Sequence, residues 1–545
     1  MTGVVLETLS WRKLSFLGIC LFIALVIFFL IGGLIAPAPS HVQTILGTKC
    51  IDRGRHAHKK QWFIPRGESE SCQSLSTFDD PKVITEQISP NQIVFTFWIP
   101  GPKGGKQLDM SRWFQNIIAV LQLEIAYDEN HPMLENATLE MEVKLGYRDL
   151  HEGPTDWKLL AESVETRKLD CSIDEEQKKA QNHYKCNLVP FFELGSCHYD
   201  YYLVNLRIPV HEHKITNMGI GKLQDIWVVA IGQTGGFTEV WLSLKTVMFF
   251  LLLPCLIWFW RRILMLDRGP NLLERTLFSL GIALTVLNSP VEWMTLWINM
   301  PFMLLLGDIR QGVFYAVLLS FWLIFVGEHM IDQMDRNRIS TYTKHLAAVG
   351  FGCIMLFVFE MCERGVQLKN PFFSIWATKN GTNLALGSVI LAGVAASLYF
   401  VFLCYMIFKV FKTISLKKTV LPHMSSSRRK YYQGLIYRFK FLMLATLVCA
   451  ALTVIFFIIG QVSEGQWKWG EESPSLEYTS AFFTGVYGMW NVYVFGLLCM
   501  YAPSHKTKQI IDDTADNSLE EEVQLTQIPS DASQISSFLK KPAIE

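Results

Sequence analysis

Seven ionisable side chains, Glu292, Asp308, Arg310, Glu328, Glu360, Glu363 and Arg364, stand inside or at the ends of long apolar stretches. A charge at membrane depth is costly, so it persists where it pairs, anchors an interface or meets a ligand. At span ends the ordinary outcome is an ion pair or an interfacial anchor. Asp308, Arg310, Glu360, Glu363 and Arg364 could also frame a mouth that receives the polar part of a bound molecule. A second candidate is Tyr432-Gln-Gly-Leu435, a Tyr-x-x-Leu tetrapeptide of the form that clathrin adaptors take as an added strand, with one pocket for the ring and one for the leucine. Cysteines form a third set. Cys50, Cys72, Cys171, Cys186 and Cys197 share one polar region, and the other seven lie in or beside apolar segments. In an oxidising compartment Cys50 with Cys72 and Cys171 with Cys186 are candidate local pairs, although spacing alone leaves connectivity open.

Catalytic constellations are missing from this inventory. The chain has no HExxH helix, no GxSxG elbow and no Gly-rich phosphate loop. The span cores hold neither the two aspartates of an intramembrane protease nor the histidine of a membrane acyltransferase. We therefore read a protein that is not an enzyme and needs no cofactor or metal.

The elements that must position these residues are set by hydropathy. Of 545 residues, 50% are hydrophobic and only 18% charged, which places several segments in lipid. Net charge is zero and gives no sign of nucleic-acid binding. About 20 apolar residues cross a bilayer, and eight stretches qualify: 14–36, 240–260, 276–296, 311–327, 346–361, 384–408, 441–462 and 479–501. Arg261, Arg262, Arg268, Arg336, Arg338, Lys344 and nine more cations between Lys409 and Lys440 fall on one side. The opposite short loops hold Arg310, Arg364, Lys369, Lys379 and Lys468. This asymmetry puts both termini in the cytosol. The sequons at Asn136 and Asn380 then face the lumen, where Asn136 is the glycosylation candidate and Asn380 stands close to a span. The first apolar run is too long for a signal peptide, so we expect an uncleaved anchor. Cleavage after it would leave the layout of a seven-span signalling receptor. The Asp-Arg-Tyr and Asn-Pro-x-x-Tyr signatures of such receptors are lacking at the span ends.

Residues 37–239 alternate with period two. In "ATLEMEVKLGYR" one face takes Leu139, Met141, Val143, Leu145 and Tyr147, and the other takes Glu140, Glu142 and Lys144. "NQIVFTFWI", "IIAVLQLEIAY", "DYYLVNLRIPV" and "LQDIWVVAIG" read the same way, which predicts a lumenal antiparallel β-sandwich of about seven strands. The expected division is a cytosolic 1–13, a first helix 14–36, the sandwich 37–239, a seven-helix bundle 240–501 and a disordered cytosolic tail 502–545.

Several stretches closely resemble the Wntless family of Wnt cargo receptors. They are "LLLGDIRQGVFYAVLLSFWLIFVGEHM" (304–330), "MCERGVQLKNPFFSIW" (361–376), "YYQGLIYRFKFLMLATLVCAALTVIFF" (431–457) and "SAFFTGVYGMWNVYVF" (480–495), with shorter matches at 32–40, 235–241 and 501–506. The resemblance implies a sandwich similar to Golgi-dynamics domains and a bundle similar to that of G-protein-coupled receptors. It also implies binding of lipid-acylated Wnt in the ER and Golgi, transport to the cell surface, and return through endosomes by clathrin adaptors and retromer-type machinery. Tyr432 and Leu435 would then be the endocytic motif, and the pairs Cys50–Cys72 and Cys171–Cys186 would be disulfides. An acyl-binding wall would come from Phe351, Met355, Phe359, Tyr399 and Phe400, set among small residues such as Gly350, Gly352 and Gly393. Two departures stand out: Cys197 has no partner, and "SSFLKKPAIE" at the C-terminus lacks an evident retrieval signal.

Overall fold

The computed structural model describes residues 4–54, 62–65, 72–102, 108–174, 178, 182–210, 216–266, 268–328, 338–420, 433, 436–437, 440–452 and 479–504. Helix α1, Trp11–Leu30, is an unbroken apolar run with no acid in its first turn. It loosens into a π turn at Ile31–Ile35. Pro37 and Pro39 then forbid further helix.

Twelve strands follow, namely β1 (Ser40–Leu46), β2 (Thr48–Ile51), β3 (Gln73–Leu75), β4 (Ile93–Ile99), β5 (Ile117–Ala126) and β6 (Thr138–Arg148), then β7 (Lys158–Lys168), β8 (Cys171–Ser172), β9 (Lys185–Cys186), β10 (Val189–Leu194), β11 (Tyr201–Arg207) and β12 (Lys222–Gln233). A four-stranded sheet, β1-β12-β5-β10, lies opposite a six-stranded one, β3-β2-β4-β11-β6-β7, and β8-β9 form a separate hairpin. All pairings are antiparallel. The alternation does what period two requires: Leu139, Met141, Val143 and Leu145 are buried with Phe97, Leu121 and Val204 between the sheets. The five strands legible in sequence are β4, β5, β6, β11 and β12. Disulfides join Cys50 to Cys72 (Cα–Cα 4.9 Å) and Cys171 to Cys186 (3.9 Å), as the resemblance implied. Cys197 is a free, fully buried thiol, and burial pushes its pKa well up.

β12 runs directly into α2, Gly235–Leu264, so the bundle starts ahead of the purely apolar run at 240. α3 is Leu272–Asn288, begun by an Asn271–Glu274 capping box. The third apolar stretch was expected to continue to 296 as one span, but the α-helix stops before Ser289-Pro290, because proline lacks the N–H the next turn needs. Residues Val291–Leu296 form a 3-10 turn instead. Then come α4 (Met303–Glu328), α5 (Thr343–Gln367), α6 (Lys379–Val420), the shorter α7 (Lys440–Leu452) and α8 (Thr479–Tyr501). Among the described residues seven helices are long and apolar enough to cross a membrane, and α7 is the shorter eighth. Leu252, Leu280, Leu284, Phe325, Val494 and Leu498 form a fully buried core from α2, α3, α4 and α8. α1 lies against α8 where Gly485 and Gly488 meet Phe29 and Phe28, since a Cβ on either glycine would collide with the ring. The N-terminal segment returns to the far end of α8, with Val5 N–H donating to Ala502 O at 2.8 Å.

Candidate functional site

Four of the five charged candidates fall into two knots, one at the junction of sandwich and bundle and one inside the bundle. Arg364, in the last turn of α5, is the hub of the first. Its Nη1 donates to Glu193 Oε1 of β10 at 2.7 Å, and its Nε to Glu360 Oε2, one turn back on α5, at 3.0 Å. Asp308 Oδ2 on α4 lies 2.9 Å from the same Nε, yet accepts no well-directed hydrogen bond, so that contact is charge to charge. Three carboxylates thus share one guanidinium on a half-buried surface. Glu363, next to Arg364 in the sequence, is half-buried.

Arg310 belongs elsewhere. Two residues along a helix turn a side chain roughly 200° around the axis, and Arg310 accordingly points away from Asp308 into the bundle. Its Nη2 reaches Glu292 Oε1 at 2.5 Å, and its Nη1 reaches Ser289 O at 3.0 Å. Lys245 Nζ, from α2, takes the same Glu292 oxygen at 2.7 Å. All three side chains are buried. This second knot ties α2, the 3-10 turn and α4 together; it is a strut within the bundle.

Besides the Arg364–Glu193 pair, side chains hold the sandwich to the bundle on two sides. On one side the α5–α6 loop inserts Phe372 into the sandwich core, 1% exposed, with ring centroids 5.8 Å from Phe191 and 5.9 Å from Phe192. Burying such a ring contributes about 1.5–3 kcal/mol. Arg167 Nη2 donates to Phe372 O at 2.5 Å, and Glu193 N–H to Pro371 O at 2.9 Å, so the loop backbone is satisfied as well. On the other side Trp113 meets Trp293 edge-on at 5.5 Å, and Gln115 Nε2 reaches Thr295 Oγ1 at 3.4 Å.

The apolar candidates line α5 and α6. Val349 is the only buried residue of α5. Phe351 is 46% exposed and Phe400 38%, while Met355 and Phe359 are half-buried. Tyr399 differs, being buried with its hydroxyl donating to Leu319 O on α4 at 2.8 Å, which makes it a packing contact between helices. Gly352 faces Ala395, so the two helices approach closely, whereas Gly350 and Gly393 have nothing within 4 Å of where a Cβ would stand. Asn136 is exposed on a left-handed turn (φ 60°) that asparagine tolerates. Tyr432 and Leu435 lie outside the described residues.

Glu193, Lys245 and Phe372 were not singled out from sequence. Lys245 carried a signal, a lone cation within an apolar run. Glu193 and Phe372 carried none, because their partners are distant in the chain.

The model of the Wntless GOLD domain matches residues 48–233, and that of the Wntless-like transmembrane domain matches residues 234–505. The chain is 48% identical over 530 residues to "Protein wntless homolog" of Gallus gallus, with 96% of each chain covered. It is 48% identical over 569 residues to "Protein wntless" of Drosophila virilis, with 100% of each covered. To "Protein wntless homolog" of Homo sapiens it is 47% identical over 530 residues, 96% of each. With both domains matched in order and relatives aligned along nearly their whole length, the chain belongs to the Wntless family.

Proposed function

We propose that the chain is a cargo receptor that holds lipid-acylated Wnt by two surfaces, its bundle taking the acyl chain and its sandwich the folded part. Family membership supports the general role in Wnt secretion and sorting. The observation that carries the finer reading is the α5–α6 pair: apolar side chains left open along its length, next to the Arg364 knot where sandwich and bundle meet. A lipidated secreted protein needs such a wall. Each buried methylene contributes about 0.8 kcal/mol, so roughly a dozen hold the chain to any membrane by about 10 kcal/mol. A helical wall within the bilayer can compete with lipid where a soluble carrier would need a deep pocket. Asp308, Glu360, Glu363 and Arg364 would meet the polar surface around the acyl attachment. The test compares capture of acylated Wnt with capture of a Wnt lacking its acylated residue. Acyl-dependent capture is expected, and equal capture of both overturns the bundle's part.

The receptor would cycle through ER, Golgi, plasma membrane and endosomes with both termini cytosolic. The Val5–Ala502 hydrogen bond supports placing both ends on one side of the membrane, because ends that meet there require an even number of crossings. Recycling would rest on Tyr432 and Leu435, read by a clathrin adaptor, with retromer-type machinery acting later. Tyr432→Ala should raise the surface pool and slow uptake of surface-labelled protein; unchanged uptake removes the motif from the account.

A further inference from the structure

The outer face of the six-stranded sheet carries an aromatic box around one arginine. Register puts it there: Leu203 of β11 lies between Trp98 of β4 and Gly146 of β6, and Tyr201 pairs with Arg148. Trp62 fills the place that Gly146 leaves open, since a Cβ there would meet the indole at 2.7 Å. Trp157, just before β7, sets its ring edge-on at 5.5 Å from that of Trp98. The guanidinium carbon of Arg148 stands 4.6 Å from the Tyr201 ring, 5.4 Å from Trp157 and 5.9 Å from Trp98.

Arg148 is 8% exposed, and among the described residues no carboxylate lies within ion-pair distance of it. Its Nη1 donates to Glu152 O at 3.2 Å. The acids around the box are committed to other donors. Glu152 accepts from Lys158 and from Asp149 N–H, Asp109 from the Tyr201 hydroxyl, and Asp200 from Leu150 N–H at 2.8 Å. Three buried N–H groups in the box, Arg148 Nε, Trp98 Nε1 and Trp157 Nε1, find no acceptor among the described residues. Buried donors and buried cations are normally satisfied, and three orphans in one cluster require an explanation. Cation–π contacts offset part of the arginine's cost. They do nothing for its Nε–H.

We propose that this box binds a carboxylate. A carboxylate is planar and offers about four lone-pair sites to three N–H donors. Its single charge matches the single unpaired guanidinium. The ring of Asp109, Asp149, Glu152 and Asp200 disfavours a second negative charge, which excludes a phosphate dianion. The carboxylate comes from an acidic side chain on a lumenal peptide or from a small free acid. The box shares no residue with either charge knot, so it is a separate site.

The experiment uses the full-length protein in lipid nanodiscs and saturation-transfer NMR of three probes, acetate, acetyl-Glu-methylamide and acetyl-Gln-methylamide, with inorganic phosphate added as a competitor. Saturable binding of acetate, of the Glu compound or of both is expected. Binding of both points to a peptide side chain, and binding of acetate alone points to a free acid. The Gln compound and phosphate should bind at least about tenfold more weakly, the size of one charge-assisted contact. Arg148→Met should lose binding by about tenfold or more, and Arg148→Lys, which keeps the charge without the fork, should fall between. Trp98→Phe and Trp157→Phe keep an aromatic wall while removing the N–H donor and part of the ring, and each should weaken binding several-fold. Those two variants keep the proposal falsifiable if Arg148→Met does not fold. Unchanged affinity in both Trp variants means that the indoles are directed at ring faces and the box is packing alone, which overturns the site. Equal competition by phosphate at a pH where the dianion predominates overturns the choice of a monoanion.

Discussion

The two halves of the bundle are built differently. α2, α3, α4 and α8 are interlocked: Leu252, Leu284, Phe325 and Leu498 are fully buried. Polar groups are tied off inside, with Asn288 Nδ2 donating to Asn491 Oδ1 at 2.6 Å and the Tyr487 hydroxyl donating to Asn288 Oδ1 at 2.8 Å. In the α5–α6 hairpin, α5 is open along most of its length, with Val349 its single buried residue, while α6 keeps one open flank and sends Leu403, Met406, Ile407 and Val410 into the shared core. Yet this open hairpin is also joined to the sandwich, through Phe372 and Arg364. The difference separates frame from working surface. Hydrophobic residues satisfied by one another hold the receptor together, and residues left to face lipid or ligand are free to exchange one for the other.

Substitutions should divide along the same line. Glu292→Ala leaves Lys245 and Arg310 buried without their counter-charge, and should cost about 3–5 kcal/mol in the frame. Thermal unfolding followed by size-exclusion in detergent would report it; a small shift would mean that water reaches the knot. Gly488→Leu drives a side chain into Phe28 of α1 and should cost about 1–3 kcal/mol. Arg364→Ala, in a half-exposed knot, should cost only about 1 kcal/mol in stability, and its larger effect should fall on cargo capture. Gly393→Leu meets open space and should leave melting unchanged. If Gly393→Leu destabilises as much as Gly488→Leu, the two halves are not distinct.

Much of this was legible in sequence, for physical reasons. Bilayer thickness imposes a composition, so the spans could be read, and a half-buried strand imposes alternation, so β4, β5, β6, β11 and β12 could be read. β7 was missed because it is an edge strand, exposed at most positions, and its pattern is blurred. Asp308 and Arg310 looked like one group because they are close in sequence, but helical rotation separates them into two knots. Arg364 was a candidate on type and position alone. Its partner Glu193 is 171 residues away, and no local pattern encodes such a pairing. Tyr399 looked like a lining group until its hydroxyl was seen to be engaged by α4.

In the proposed mechanism the acyl chain lies along the open face of the hairpin and not in the frame. A photoreactive phenylalanine analogue at Phe351 or Phe400, irradiated with acyl-labelled Wnt bound, should cross-link to the acyl chain. The same analogue at Phe321 or Leu284, buried among α3, α4 and α8, should not. Cross-links from the frame positions, or none from the hairpin while Wnt remains bound, would mean that the acyl chain lies elsewhere.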